Sequence, residues 1–240
     1  VVPYFQEKGI TLAGLQAKDI QDFYQVQLKR VKPNTVIHYH ANIHKALKYA
    51  VKIDLIPVNP ADKVERPKKD RYVGNFYDAA EMTRLFAITK GTKLEMPILL
   101  GAFYGLRRSE ALGLKWDAVD FQRNTLTIRH TVVTCNLDGK QVTLSCDTTK
   151  TRSSMRTLPL VPEFQQRLLL HKARQEEYKM LCGRSYCNDY KGYICLDEMG
   201  ERLKPGYLTE AFIRTLRDNG LRPIRFHDLR HSCASLLLAN

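Results

Sequence analysis

The sequence predicts a mainly α fold with a small antiparallel β-sheet, α+β in class, laid out as a small helical domain followed by a larger mixed one. Three observations predict it. Apolar residues recur at helical spacing through residues 1–65. A basic stretch without periodicity, residues 66–76, interrupts the pattern. Beyond it, segments rich in Thr, Val and Ile and separated by turn residues lie among further helical patterns. Hydrophobic residues at 44% and charged residues at 26% suit a globular chain. No apolar run reaches the roughly 18 residues that a membrane span needs. Val1 to Gln6 has neither the basic start nor the apolar core of a signal peptide, and it lacks an initiator Met, so the chain is expected to be cut from something longer.

The elements follow in order. Asp19 to Lys29 carries Ile20, Phe23, Tyr24 and Leu28 at helical spacing. Lys32-Pro33-Asn34 breaks that pattern, and Thr35 is placed to start the next helix. From Val36 to Ile53 the apolar positions are Val36, Ile43, Leu47, Ala50 and Val51. His38, His40, His44, Lys45, Lys48 and Lys52 are interleaved with this stripe, so the opposite face reads as basic and hydrogen-bonding. Such a face suits phosphates, and an ordinary solvated face has the same pattern. Asn59-Pro60 ends the helical region. Residues 66–76, with Arg66, Lys68, Lys69 and Arg71, read as a linker able to follow a DNA backbone.

The second domain is expected over 77–240. Asp78 and Glu81 resemble a capping box ahead of a helix with Met82, Leu85, Phe86 and Ile88 on one face. An apolar run from Met96 to Tyr104 stops at Gly105, and Ser109 to Leu114 reads as a short helix. Thr125 to Val133 reads as a strand, Asn136-Leu137-Asp138-Gly139 as a turn, Val142 to Leu144 as the return strand and Arg156 to Leu160 as a third. Pro162 opens a long helix to about Met180. Leu208 to Arg217 and His227 to Leu238 complete the helices.

The charge narrows the partners. Thirty-eight Lys and Arg against 25 acids give +13, a surplus that favours a polyanion, nucleic acid being the usual one. None of the six cysteines forms a Cys-x-x-Cys pair. Cys182, Cys187 and Cys195 cluster loosely without an obvious fourth ligand, so free thiols in a reducing cytoplasm are expected, and no metal.

Three segments carry candidate chemistry. The first is Tyr104-Gly105-Leu106-Arg107-Arg108-Ser109-Glu110, two arginines after an apolar helix and a glycine. The second is Lys150-Thr151-Arg152-Ser153-Ser154-Met155-Arg156, a basic turn running into a strand. The third is Phe226-His227-Asp228-Leu229-Arg230-His231, in which His227 and Arg230 share a helix face at i,i+3. Read singly, they also fit a helix terminus, a hairpin loop and a polar helix start.

Together and in this order they resemble the tyrosine recombinase family, whose pattern runs Gly-Leu-Arg-x-x-Glu, Lys-Thr-x-x-Ser-x-Arg and His-x-Leu-Arg-His. Asn59-Pro60 and Trp116 to Phe121 add to the likeness, which is greatest to integrases of phages and conjugative transposons. The resemblance implies a helical core-type DNA-binding domain over 1–65 and a catalytic domain over 77–240. It implies catalytic roles for Arg107, Lys150, His227 and Arg230, with Arg108 the lesser candidate beside Arg107, and supporting roles for His231 and Glu110. Two guanidiniums match the oxygens of a scissile phosphate, His227 adds a donor or moves a proton, and Lys150 protonates the departing 5′ oxygen. A tyrosine then holds the 3′ phosphate covalently, so neither ATP nor a metal cofactor is expected. In the family that tyrosine lies well beyond the second arginine. None of the 12 tyrosines occupies that place, so the nucleophile is expected after Asn240, with the chain as given binding DNA without cleaving it.

Lys45, Lys48, Lys52, Lys68, Lys69, Arg71 and Arg152 are the expected DNA-backbone contacts. The resemblance further implies double-stranded DNA as partner, a homo-tetramer on two DNA sites, an accessory excision factor and a bacterial, nucleoid-associated location with no membrane. Three competing readings are a non-catalytic DNA-binding regulator with a recombinase-like fold, a type IB topoisomerase, and a zinc-binding regulator using the clustered cysteines.

Overall fold

A computed structural model describes residues 1–69, 75–146 and 155–238, with side chains through Cys233. The chain divides into two compact units, 1–73 and 74–240.

The first unit holds helices α1 (Val2–Glu7), α2 (Ala17–Leu28) and α3 (Pro33–Lys52), followed by a 3₁₀ turn at Pro60–Lys63. Ile20, Phe23 and Tyr24 of α2 meet Val36, Ile43, Leu47 and Ala50 of α3, and Ile56 and Ala61 close the cluster. Each large side chain so buried contributes roughly 1.5–3 kcal/mol, which is why the stripe dictates the pairing. Helix α3 begins at Pro33, two residues before the predicted Thr35, because proline's fixed φ is already helical and its missing N–H is no loss in the first turn. The face opposite the stripe needs a correction too. His40 is buried, its Nδ1 2.8 Å from the Tyr24 hydroxyl, and His44 Nε2 lies 2.7 Å from Asp62. Lys45, Lys48 and Lys52 are the exposed cations of that face. The Asn59 side chain accepts from Ala61 N at 3.0 Å and so caps the closing turn.

The second unit contains α4 (Ala79–Thr89), α5 (Glu95–Tyr104), α6 (Arg108–Gly113), strands β1 (Val119–Asp120), β2 (Thr125–Ile128), β3 (Thr131–Leu137), β4 (Lys140–Cys146) and β5 (Arg156–Pro159), then α7 (Pro162–Cys182), α8 (Pro205–Asp218) and α9 (Asp228–Leu238). The predicted capping box forms, with Glu81 N donating to Asp78 at 2.8 Å and Asp78 N to Glu81 at 3.0 Å. Helix α5 is apolar nearly all round, with Met96, Ile98, Leu99 and Leu100 buried, and it packs against α4, α6, α7 and α9. An all-apolar helix has to be central, and this one is the core of the unit. None of the described helices is long and apolar enough to cross a membrane.

The strands depart from the prediction. Thr125 to Val133 is not one strand. Strand β2 joins an antiparallel sheet of order β1-β2-β5, whereas β3, among the described residues, pairs with β4 as a separate hairpin. The break at Arg129-His130 falls where α6 ends against the chain. A Cβ on Gly113 would lie 2.6 Å from Thr131 Cα and 2.7 Å from His130 O. The predicted turn tightens to Asp138-Gly139, at φ 50° and 78°, the positive pair that a two-residue hairpin loop requires. Between α7 and α8, where the sequence pattern predicts no element, Tyr193, Ile194, Cys195 and Leu196 are buried, and Tyr193 bridges to Lys115.

Candidate functional site

The site grows from the end of α5. Gly105 terminates that helix in the left-handed conformation, φ 58°, and turns the chain into Arg107, the N-cap of α6. Glu110, at the third position of α6, reaches back. Its carboxylate accepts from Arg107 N at 3.0 Å and from Arg107 Nη1 at 2.7 Å. Arg156, at the start of β5, donates to the same carboxylate at 2.9 Å. Burial alone would raise the Glu110 pKa, but the hydrogen bonds from Arg156 and Arg107 outweigh it and hold the carboxyl below the ordinary carboxylate value. The carboxylate is 3% exposed and the Arg107 side chain 52%, so Glu110 is the fixed post and Arg107 the group presented.

Helix α9 is seated on the same turn. A Cβ on Gly101 would touch Leu229 at 3.4 Å, and one on Gly105 would lie 3.3 Å from Arg230 Cγ. Arg230 is half-buried and donates from Nη1 to Gly105 O, while Cys233 donates to Phe103 O at 3.4 Å. Arg230 thus holds the backbone that launches Arg107. His227 is exposed just before α9, its ring 5.6 Å from that of His231. Partial burial, then the nearby His231, Arg225 and Arg230, push its pKa below the ordinary histidine value, with Asp228 opposing. A neutral imidazole at neutral pH can accept a proton.

A cleft of about 520 Å³ opens here, with Arg107, Arg108, Arg225 and His227 facing the strand segment Val132–Thr134. None of the described residues lining it is a carboxylate. Three guanidiniums and an imidazole make it an anion receptor, and guanidiniums suit phosphate oxygens above other anions. Arg108 is also tied to the start of α8, donating to Thr209 Oγ1 and to Pro205 O.

Of the predicted site residues, the structure therefore brings Arg107 and His227 to one cleft, places Arg230 and Glu110 at the turn behind Arg107, and sets His231 against His227. Lys150, Arg152 and Arg71 lie outside the described residues. Lys45, Lys48, Lys52, Lys68 and Lys69 are all exposed in the first unit. The clustered cysteines are otherwise engaged. Cys195 is buried with its thiol donating to Ala111 O at 3.3 Å, and burial pushes its pKa well up; Cys182 lies against Glu198 O and Met199. Among the described residues no group of three His, Cys, Asp or Glu is placed to hold a metal ion. One participant, Arg225, escaped the sequence reading, and another, Arg156, stood in a quoted motif with no role assigned to it. The signal for Arg225 was there, since Arg225-x-x-Asp228 repeats the spacing of Arg107-x-x-Glu110.

The chain is similar to known proteins over most of its length. The model of the Phage integrase family matches residues 75–240. The chain is 28% identical over 248 residues to a Tyrosine recombinase XerC-like protein of Caldanaerobacter subterraneus subsp. tengcongensis, covering 95% of this chain and 62% of the relative. It is 25% identical over 232 residues to the ICEBs1 integrase of Bacillus subtilis strain 168, covering 92% and 59%. It thus spans about three-fifths of the length of these curated relatives. The fold is that of the Tn1549 transposon integrase solved with circular intermediate DNA, with a TM-score of 0.74, 18% identity and coverage of 96% of this chain and 75% of that one. A lambda integrase tetramer bound to a Holliday junction gives a TM-score of 0.66 at 16% identity, covering 100% and 64%. With the family model spanning the whole unit that carries the arginine-lined cleft, the chain belongs to the phage integrase, or tyrosine recombinase, family.

Proposed function

We propose that this chain acts in site-specific DNA recombination, integrating or excising a mobile element by breaking and rejoining strands through a 3′-phosphotyrosine. The observation that carries the reading is the cleft in which Arg107 and His227, 120 positions apart in sequence, lie together with no carboxylate among its described lining residues. In this reading residues 1–65 form a core-type DNA-binding domain, 66–76 a basic linker and 77–240 the catalytic domain. Lys45, Lys48, Lys52, Lys68 and Lys69, with Arg71 and Arg152, follow the DNA backbone.

The roles follow from charge and geometry. Arg107 and Arg230 bind the non-bridging oxygens of the scissile phosphate and stabilise the charge that grows on them. Glu110 keeps Arg107 aimed. A tyrosine oxygen attacks phosphorus, its proton passing to a base such as the neutral His227. The 5′ oxygen leaves with a proton from Lys150, and the 3′ phosphate stays on the tyrosine. A 5′ hydroxyl from the other duplex reverses these steps and rejoins the strand, so no external energy source is consumed. The reading requires a tyrosine delivered to the cleft, since none of the described residues lining it is one. Two duplexes and four exchanges call for a homo-tetramer, and an excision factor would set the direction.

The test is a denaturant-resistant protein–DNA adduct on a nicked duplex carrying the element end, assayed with this chain and with its full-length gene product. An adduct that Arg107→Ala abolishes while DNA binding persists supports the reading. Tight binding of the cognate site with no adduct from either protein would mean a non-catalytic DNA-binding regulator instead.

A further inference from the structure

Two arginines reach the cleft by one device, used twice. Arg107 and Arg225 each stand three residues before a carboxylate in the first turn of a helix. In each case the carboxylate accepts the backbone N–H of its arginine and also holds the guanidinium. Glu110 does so at 3.0 and 2.7 Å. Asp228 does so at 2.8 Å for the backbone and 3.1 and 2.7 Å for Nε and Nη2. Both carboxylates are buried, 3% and 2% exposed, and both arginines are presented, 52% and 60%.

A surface ion pair that served only stability would be worth little and would have no need of a buried acid. Burying the acid costs desolvation, and what the fold gains is a guanidinium whose direction is fixed from behind. Both guanidiniums line the same cleft, and none of its described lining residues is a carboxylate.

We propose that Arg225 is a further DNA-backbone anchor of this cleft, binding a phosphate beside the one that Arg107 engages. The inference rests on the recombinase reading above. In that reading Arg107 and Arg230 engage the two non-bridging oxygens of the scissile phosphate, which leaves the additional aimed guanidinium for a neighbouring phosphate. The cleft, at about 520 Å³, is roomy enough for more than one phosphate group. Arg225 is thus a binding residue, outside the bond-making set.

The test uses the 240-residue chain and needs no nucleophile. Affinity for an element-end duplex and for an unrelated duplex is measured across salt concentrations for wild type, Arg225→Gln, Arg225→Lys and Arg107→Gln. Losing one phosphate contact lowers the magnitude of the log–log salt slope by about 0.9, equivalent to about eightfold in affinity at 0.1 M salt. Arg225→Gln is expected to show that loss equally on both duplexes, and Arg225→Lys to restore the slope. Thermal melts accompany each variant, and Arg225→Met is the second neutral replacement should Gln disturb Asp228. An unchanged slope in folded Arg225→Gln and Arg225→Met overturns the inference. So does a loss confined to the element-end duplex, which would make Arg225 a base reader. Should Arg107→Gln lower the slope while the Arg225 variants do not, the inference alone fails. If wild type shows no salt-dependent DNA binding, the recombinase reading fails with it.

Discussion

Replacing Glu110 by glutamine keeps the shape of the side chain and removes its charge, which isolates what the buried carboxylate contributes. The carboxylate accepts from Arg107 N, Arg107 Nη1 and Arg156 Nη2, at 3.0, 2.7 and 2.9 Å. A glutamine has one acceptor oxygen, and its amide donors cannot face guanidinium donors, so at least one of these charge-assisted hydrogen bonds is lost. Hydrogen bonds to charged groups are worth about 1.5–3 kcal/mol each, and breaking a buried ion pair costs about 3–5 kcal/mol. Arg107 is half exposed, so water recovers much of its share, whereas Arg156 at 28% exposed recovers less. The expected loss is about 2–4 kcal/mol, or roughly 4–16 °C in melting temperature for a unit of this size. The pH dependence has a definite sign. Because the folded pKa of Glu110 is lowered, its stabilisation is fully present above the ordinary carboxylate value and is lost as pH falls through the folded value. Thermal melts of wild type and Glu110→Gln followed by circular dichroism should therefore differ at neutral pH and converge in acid. A variant that melts with wild type at pH 7, or a gap that persists undiminished in acid, would refute the idea that the charge of Glu110 holds these arginines.

Two further outcomes are expected. Lys48→Ala with Lys52→Ala should lower the magnitude of the salt slope of DNA binding by about 1.8 while leaving the melt within about 0.5 kcal/mol, because both side chains are exposed on α3; a slope equal to wild type would remove α3 from the DNA interface. Gly113→Ala should cost at least about 2 kcal/mol in urea unfolding, since the new Cβ meets backbone at 2.6 Å and backbone cannot rotate away as a side chain can; a loss below about 0.5 kcal/mol would mean that α6 and the His130–Thr131 chain separate freely.

What the sequence made legible is what local pattern controls. The α2 and α3 stripes, the apolar run of α5 and the Asp78–Glu81 cap each depend on residues a few positions apart, and each formed as read, while the turn tightened to its Asp138-Gly139 half. The strand division did not, and the burial pattern says why. Leu126, Ile128, His130 and Val132 are buried in strict alternation, straight across the break between β2 and β3. A period of two cannot reveal where a strand changes partner, because inward positions stay inward on both sides. The information sits far away in sequence, at Gly113, whose missing side chain admits the His130–Thr131 backbone. His40 fails for a similar reason. Its place beside the apolar stripe of α3 was visible, but the Tyr24 hydroxyl that satisfies it comes from another helix.

The candidate site divides along the same line. Arg107, His227 and Arg230 were found because their neighbours in sequence form ordered motifs. Arg156 lay inside a quoted motif without a role, since its partner Glu110 comes from a helix 46 positions earlier. Arg225 stood outside every motif, and its spacing to Asp228 is one that surface salt bridges share. What separates it from those is the burial of Asp228, and that burial exists only because α9 docks on α5, with Leu229 against Gly101 and Ser232 accepting from Tyr77 N at 2.9 Å. An i,i+3 arginine–acid pair at a helix start is therefore informative once the acid is buried and the arginine is not. That asymmetry is a property of tertiary packing, so the second clamp becomes visible only when the helix carrying it is placed against the core.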